Sequence, residues 1–189
     1  MSLFDRVITE AAKNSSDLPD DYVVVIASSG TNKWISYRIR EGAKTRLAKN
    51  SDDVHGSITI GPMVASEGPC LDAWEIKAVV AKKGWGPLLY DIALELATKK
   101  VGGLAPDRDS VTTAARGVWD YYNQRRGDVK KTQLDDLLNS LTRGKKDNCS
   151  QVAAQAAEKE WKNSSLSKRY SKKPSVLTQL KATGKLVIL

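Results

Sequence analysis

Four strand-like segments follow one another in the first half of the chain, with no helical pattern between them. The first, residues 22–27, is a continuous apolar run of mostly β-branched residues, typical of a strand buried on both faces. The others span 34–40, where apolar and polar residues alternate, 56–63 and 71–80. Because strands that follow one another without a crossover helix pair antiparallel, this order predicts an antiparallel sheet.

The period becomes helical after the fourth strand. Residues 87–99 predict a helix with Pro87 in its first turn, and 101–104 predicts a short strand. This strand–helix–strand unit is long enough for a parallel crossover. The sequence therefore predicts an α+β fold with a mixed, mostly antiparallel central sheet and helices on both faces.

Helical spacing also occurs at both ends of the chain. It predicts a helix over 2–13 and another from Ser110, as its N-cap, to Arg125. The later predicted elements are a leucine-rich helix that starts near a capping box at 132–135, an alanine-rich helix over 150–162, a linker or surface arm over 163–173, a helix over 174–182 and a strand over 185–189.

The positive charge is concentrated in the last third. Residues 1–124 carry 15 Lys+Arg and 16 Asp+Glu, whereas 125–189 carry 15 and 6. This asymmetry predicts either an acidic partner, DNA or an acidic protein, or a solvated lysine-rich face. We accordingly divide the chain into a core over 1–126 and a basic helical extension over 127–189, which ends in a short strand and packs on the core.

Composition excludes several classes of protein. The 189 residues contain no run of 18 apolar residues, so no spanning helix or membrane partner is expected. No apolar signal core follows the N-terminus, which predicts a cytoplasmic protein, with Cys70 and Cys149 reduced. His55 is the single histidine, so a metal site or a Ser-His-Asp triad is not expected.

The most specific local pattern joins the fourth strand to the following helix. Here Gly84 and Gly86 stand next to Lys82 and Lys83. Glycines at a helix N-terminus let backbone amides approach a ligand, and the helix dipole and lysines attract an anion such as pyrophosphate. A tight turn without a ligand is the alternative explanation.

At this turn the chain resembles the GNAT acyltransferase superfamily, in particular the small GNAT-like proteins of tailed bacteriophages. The resemblance covers about residues 20–125 and rests on segments 73–81, 82–90, 104–112 and 115–122. It implies acetyl-coenzyme A as cofactor, with Gly84 and Gly86 at the small positions of an R/Q-x-x-G-x-G/A turn whose first position holds Ala81. The implied cofactor-binding residues are Val79, Val80, Ala81, Lys82, Lys83, Gly84, Trp85, Gly86 and Pro87.

The resemblance also implies catalytic groups. Glu75, within the fourth strand, is the expected general base for an amine acceptor, and an ion pair with Lys77 or with a neighbouring strand is the structural alternative. Tyr121 and Tyr122 are the candidates for the general acid, although Tyr122 continues an apolar helical stripe. Arg108 either ties strand to helix or faces the active cleft.

The C-terminal third offers a candidate surface for nucleic acid or an acidic partner. It combines an aromatic ring with four cations, at Lys168, Arg169, Tyr170, Lys172 and Lys173. Trp161 either belongs to this surface or docks a helix.

Two functions follow as expectations. The first is a phage-type N-acetyltransferase that transfers acetyl from acetyl-coenzyme A directly to an amine, on modified DNA or on a protein, in a ternary complex. The alternative is a catalytically inactive GNAT-like module that binds a partner or associates with the virion. Ala81 favours the second function, whereas the glycine turn and Glu75 favour the first.

Overall fold

A computed structural model describes residues 12–40, 55–154 and 158–189. The predicted helix over 2–13 lies outside these residues, apart from its last two positions.

The centre of the molecule is an eight-stranded mixed sheet. Its spatial order is β10-β1-β2-β3-β4-β5-β9-β6, and only the pairs β1–β10 and β4–β5 are parallel. The strands are β1 (Tyr22–Ser29), β2 (Asn32–Ile39), β3 (Gly56–Pro62), β4 (Trp74–Ala81), β5 (Leu104–Ala105), β6 (Val129–Gln133), β9 (Lys168–Lys172) and β10 (Leu186–Ile188), with β7 (Asp135–Asp136) and β8 (Asn148–Cys149) in a separate pair. The predicted α+β class with a mixed, mostly antiparallel sheet is confirmed.

Strand β1 is continuously apolar because both of its faces are buried. Val23 and Val25 are fully buried on one face, while Val24 and Ile26 belong to the main core on the other. A strand buried on both faces cannot alternate apolar and polar residues. The parallel partner β10 covers its outer edge, so the predicted terminal strand completes the sheet.

The helices are α1 (Gly86–Val101), α2 (Thr113–Arg125), α3 (Glu158–Asn163) and α4 (Val176–Ala182). Helix α1 packs on the sheet, has nine buried residues and ends at Gly102, whose φ of 98° suits glycine. Helix α2 is capped by Thr112, whose hydroxyl accepts a hydrogen bond from the Ala115 amide at 3.3 Å, and not by Ser110 as predicted.

Two predicted elements after residue 130 are wrong. The leucine-rich segment following the expected capping box forms β7 and bends, because the carboxylate of Asp135 accepts from the amides of Leu141 (2.6 Å) and Thr142 (2.7 Å) and closes a loop. Leu138 is consequently 90% exposed. The predicted linker at 163–173 contains β9, which lies inside the sheet between β5 and β6.

The expected reduced cysteines form a disulfide in the structure. Cys70 lies in a turn before β4 and Cys149 in β8, 79 residues later, and both are fully buried. The bond links the two segments that surround a small apolar cluster with Ala73, Ala105 and Leu134. The expectation of reduced cysteines came from the missing signal core, which carries no information on whether the folded chain brings these two residues together.

Helix α4 begins on a buried carboxylate. Glu95 of α1 accepts hydrogen bonds from the amides of Val176 (3.0 Å) and Leu177 (2.8 Å), from the Ser175 hydroxyl (2.9 Å) and from the Lys172 ammonium. Burial acts to raise the pKa of Glu95, but these donors outweigh it, and the pKa lies below its usual value.

A carboxylate with a lowered pKa stabilises the fold above its unfolded-state pKa, and this contribution is lost as the pH falls through the folded-state pKa. Replacing Ser175 with alanine removes one donor. We expect the free energy of unfolding at pH 7 to fall by about 1–2 kcal/mol and the acid-side loss of stability to begin at a higher pH. Denaturant titrations across acidic pH measure both effects. Ser171→Ala, in β9, is the control, and identical acid profiles for the two variants would contradict the assignment.

Candidate active site

The two parallel strands β4 and β5 separate almost as soon as they pair. They are in register only at Trp74–Leu104 and Glu75–Ala105. Beyond these pairs β4 continues to Ala81, while the segment that follows β5 leaves the sheet and leads to α2. The separation opens a cleft of about 210 Å³. Its lining residues are Ile76, Lys77, Ala78, Val79, Tyr90, Asp107, Ser110, Val111, Thr112, Ala115 and Trp119.

A β-bulge shapes the β4 wall of this cleft. In the pairing with β3, Thr59 is opposite Ala78 and Ile60 is opposite Ile76, which leaves Lys77 as the extra residue. A bulge shifts the alternation of side chains along the strand. As a result, Ile76 and Val79 both pack towards the main core, and Lys77 lines the cleft.

The glycine turn lies between the end of β4 and the start of α1. Gly84 has a φ of 86°, which favours glycine, and Gly86 is the first residue of the helix. Within the described part of the chain, no side chain caps the N-terminus of α1, so its first amides keep their capacity to bind a ligand. Lys82 and Lys83 are exposed beside them.

Aromatic stacking anchors this turn. Trp85 is buried and stacks on His55 with 5.0 Å between ring centroids, and His55 stacks on Tyr22 at 4.6 Å. The Tyr37 hydroxyl donates to the Trp85 carbonyl at 2.9 Å. These side chains hold the turn against the sheet, and none of them caps the N-terminus of α1.

The cofactor-binding residues implied by the resemblance occupy different environments. Val79 lines the cleft, whereas Val80 is 73% exposed and Ala81 is also exposed. The segment nevertheless runs without interruption from the cleft wall to the N-terminus of α1. Its backbone therefore connects the wall of the cleft to the N-terminus of α1.

Glu75 is almost completely buried, with 1% of its surface exposed. Its Oε1 forms an ion pair with Lys77, and its Oε2 accepts from the Arg108 amide at 2.9 Å. Burial raises the pKa of the Glu75 carboxyl, and the hydrogen bonds from Lys77 and Arg108 partly oppose the rise. Glu75 is not among the residues that line the cleft, but its partner Lys77 is.

The two predicted tyrosines are not brought to the cleft. Tyr122 is 2% exposed, and its hydroxyl donates to Asp91 at 2.8 Å; burial raises the pKa of this tyrosine well above its usual value. Arg126 also binds Asp91, so Tyr122 fastens α2 to α1. Tyr121 is half-buried and packs against the main core. Neither side chain lines the cleft.

Tyr90 of α1 is the site residue that sequence reasoning missed. It lines the cleft, is 3% exposed, and its ring meets Trp119 edge-on at 5.7 Å. No described residue provides a hydrogen-bond partner for its hydroxyl. Burial raises the pKa of Tyr90 to about 12, which keeps the hydroxyl protonated. Its position one helical turn after Gly86 was the available signal.

Arg108 has the structural role that sequence reasoning left open. It is 1% exposed and donates to three carbonyls: Pro106 (2.9 Å), Leu166 (2.6 Å) and Ser150 (3.3 Å). Burial lowers its pKa to about 10, so the guanidinium remains charged at neutral pH. It therefore joins the start of β9 and the disulfide-linked segment to the base of the cleft.

The predicted basic surface is not assembled on one face. Tyr170 is fully buried against Trp119, with its hydroxyl on the Ser165 carbonyl, and it offers no ring for stacking. Lys172 is paired with Glu95, and the ammonium of Lys168 donates to the Ser164 carbonyl at 2.9 Å. Alternation along β9 turns Arg169 away from these three, and Lys173 is exposed. Trp161 is buried in the main core, so it docks a helix.

Comparison with known proteins does not assign the chain to a family. No protein-family model, curated protein or solved structure matches the chain. Neither a membrane-spanning helix nor a cluster of metal-ligating side chains occurs in residues 12–40, 55–154 and 158–189. The function of the cleft therefore has to follow from its own geometry.

Proposed function

We propose that this protein is an acetyl-coenzyme A-dependent N-acetyltransferase of the GNAT type, which transfers acetyl directly to an amine in a ternary complex. The observation that carries the proposal is the separation of β4 from β5 after two residue pairs. Among residues 12–40, 55–154 and 158–189, no strand pairs with this edge of β4 beyond Glu75, so the backbone edge faces the cleft. An extended ligand with amide groups, such as the pantetheine arm of coenzyme A, can hydrogen-bond to such an edge.

The glycine turn supports the same proposal from the other end of the ligand. The amides at the N-terminus of α1 and the helix dipole suit a pyrophosphate, and Lys82 and Lys83 add positive charge. A lysine does not reproduce the bidentate geometry of an arginine at the position held by Ala81. The backbone amides therefore supply the geometry, and the lysines supply charge.

The chemistry needs a proton acceptor for the amine and a proton donor for the departing thiolate. In this proposal Glu75, whose carboxyl is made more basic by burial, accepts the proton. Tyr90 replaces Tyr121 and Tyr122 as the donor, because Tyr90 lines the cleft and no described residue binds its hydroxyl, while that of Tyr122 is bound to Asp91.

The direct test is ligand-induced stabilisation combined with a variant at Gly86. At 100 times its dissociation constant, acetyl-coenzyme A should stabilise the protein by about 2.7 kcal/mol. Among the described residues, a Cβ at Gly86 would meet only the Ala81 Cβ, at 3.8 Å, so Gly86→Val should fold. The valine should block the approach of a pyrophosphate and abolish the thermal shift.

Gly127→Val is the matched control, since a Cβ at Gly127 meets no described atom within 4 Å and the residue lies beyond α2. It should keep the full shift. If the wild type shows no shift at millimolar cofactor, the proposed function is wrong. If Gly86→Val keeps the shift, the pyrophosphate is bound elsewhere.

A catalytically inactive GNAT-like binding module is the second candidate function. The observation in its favour is that both oxygens of Glu75 are already engaged, by Lys77 and by Arg108. Binding of acetyl-coenzyme A without thiol release, in the presence of polyamines, amino sugars and lysine peptides, would support the inactive module over the enzyme.

A further inference from the structure

Lys77 places a primary amine inside the cleft. Its side chain is 28% exposed, and it is the residue that the β4 bulge leaves without a strand partner. Its ammonium contacts the buried carboxylate of Glu75. An N-acetyltransferase holds its acceptor amine next to a general base and beside the thioester. The Lys77 amine already lies next to Glu75, and Lys77 lines the cleft that would hold the thioester.

We propose that Lys77 is itself an acetyl acceptor, so that the protein acetylates its own cleft from bound acetyl-coenzyme A. This inference rests on the proposed function, because the acetyl donor has to occupy the cleft. It goes beyond that function by naming a modification site and the chemical class of the acceptor, a lysine amine held within the chain.

The transfer is balanced without a further reactant. The Lys77 ammonium gives one proton to Glu75, which passes it to solvent, and the neutral nitrogen attacks the thioester carbonyl. The new C–N bond forms, the C–S bond breaks, and the second nitrogen-bound proton ends on the departing sulfur, directly or through the Tyr90 hydroxyl. The products are Nε-acetyl-lysine, free coenzyme A and one proton.

Two features of the structure favour this lysine over others. The carboxylate that touches it is buried, and burial raises the pKa of Glu75, which makes it a better proton acceptor than an exposed carboxylate. The bulge and the ion pair also hold the amine in one place, so the reaction is intramolecular once the donor is bound. Lys99 and Lys100, at the exposed end of α1, have no place in the cleft and serve as internal references.

The test is peptide mass spectrometry of the intact chain after incubation with acetyl-coenzyme A. Acetylation at Lys77 should saturate with donor concentration and exceed that at Lys99 and Lys100 by about 10²-fold or more, the usual contribution of a positioned base. Excess coenzyme A should suppress it, while acetylation of the two reference lysines stays unchanged. Lys77→Arg should remove the site-specific product, and Glu75→Gln should slow it by about the same factor.

The outcomes separate this inference from the proposed function. If acetyl-coenzyme A stabilises the protein but Lys77 remains unmodified, or reacts no faster than Lys99 and Lys100, the inference is wrong and the proposed function stands. If the cofactor gives no thermal shift, the proposed function fails first. If Glu75→Gln fails to fold, the inference is still tested, because saturation and protection by coenzyme A are measured on the wild type.

Discussion

Replacing Arg108 with glutamine is expected to lower the free energy of unfolding by about 3–5 kcal/mol, the usual cost of breaking a buried charged network. The guanidinium is 1% exposed and satisfies the carbonyls of Pro106, Ser150 and Leu166 at once. A glutamine amide has two N–H donors and a shorter reach, so at least one buried carbonyl would lose its partner.

Denaturant unfolding at neutral pH measures this loss. Arg108→Lys should recover little of it, because one ammonium cannot reproduce the planar fork that reaches three separate segments. Arg116→Gln is the matched control: Arg116 lies on α2 and is only half-buried, so its loss should cost less than about 0.5 kcal/mol. Similar losses at the two positions would contradict the role assigned to Arg108.

Replacing Glu75 with glutamine is expected to reduce turnover by about 10²–10⁴-fold while leaving the affinity for acetyl-coenzyme A nearly unchanged. Glutamine keeps the shape and can still accept from the Arg108 amide, but it cannot take a proton. The rate deficit should narrow at high pH, where more of the amine acceptor is already neutral. Thiol release with an amine acceptor, followed across pH, measures both effects.

The stability of the same variant distinguishes catalysis from structure. Burial raises the pKa of Glu75, so the fold disfavours its charged form, and Lys77 can turn towards solvent once the charge is removed. The free energy of unfolding should therefore fall by less than about 3 kcal/mol, the upper value for a hydrogen bond to a charged group. Glu67→Gln, at a carboxylate near Glu75 that caps a short turn, should keep its turnover. A large loss of stability with normal activity per folded molecule would make Glu75 purely structural.

Local patterns in the sequence were sufficient for the part of the site that one continuous segment builds. The strand over 74–81, the turn at Gly84 and Gly86 and the following helix are consecutive in the chain. The ion pair between Glu75 and Lys77, stated as the alternative to a free base, also joins residues two apart. Contacts between residues so close in the chain can be predicted from the sequence alone.

Side chains that approach the site from distant segments could not be assigned in this way. Tyr90 and Tyr122 are both tyrosines on amphipathic helices, and only the packing of α2 against α1 decides that one reaches the cleft and the other binds Asp91. The sequence predicted that Lys172 and Tyr170 belong to a basic-aromatic surface. In the structure their partners are Glu95 and Trp119, which are distant in sequence and which no local pattern around 168–173 indicates.

The sequence by itself determined the first four strands, the helix that follows the glycine turn and the mixed α+β class, because hydrophobic period and backbone preferences act over a few neighbouring residues. Only the tertiary structure decided that β4 and β5 separate into a cleft, that Cys70 reaches Cys149 and that the basic C-terminal segment becomes a buried strand. These outcomes depend on which distant surfaces exclude water from each other, and burial of this kind is a property of the whole folded chain.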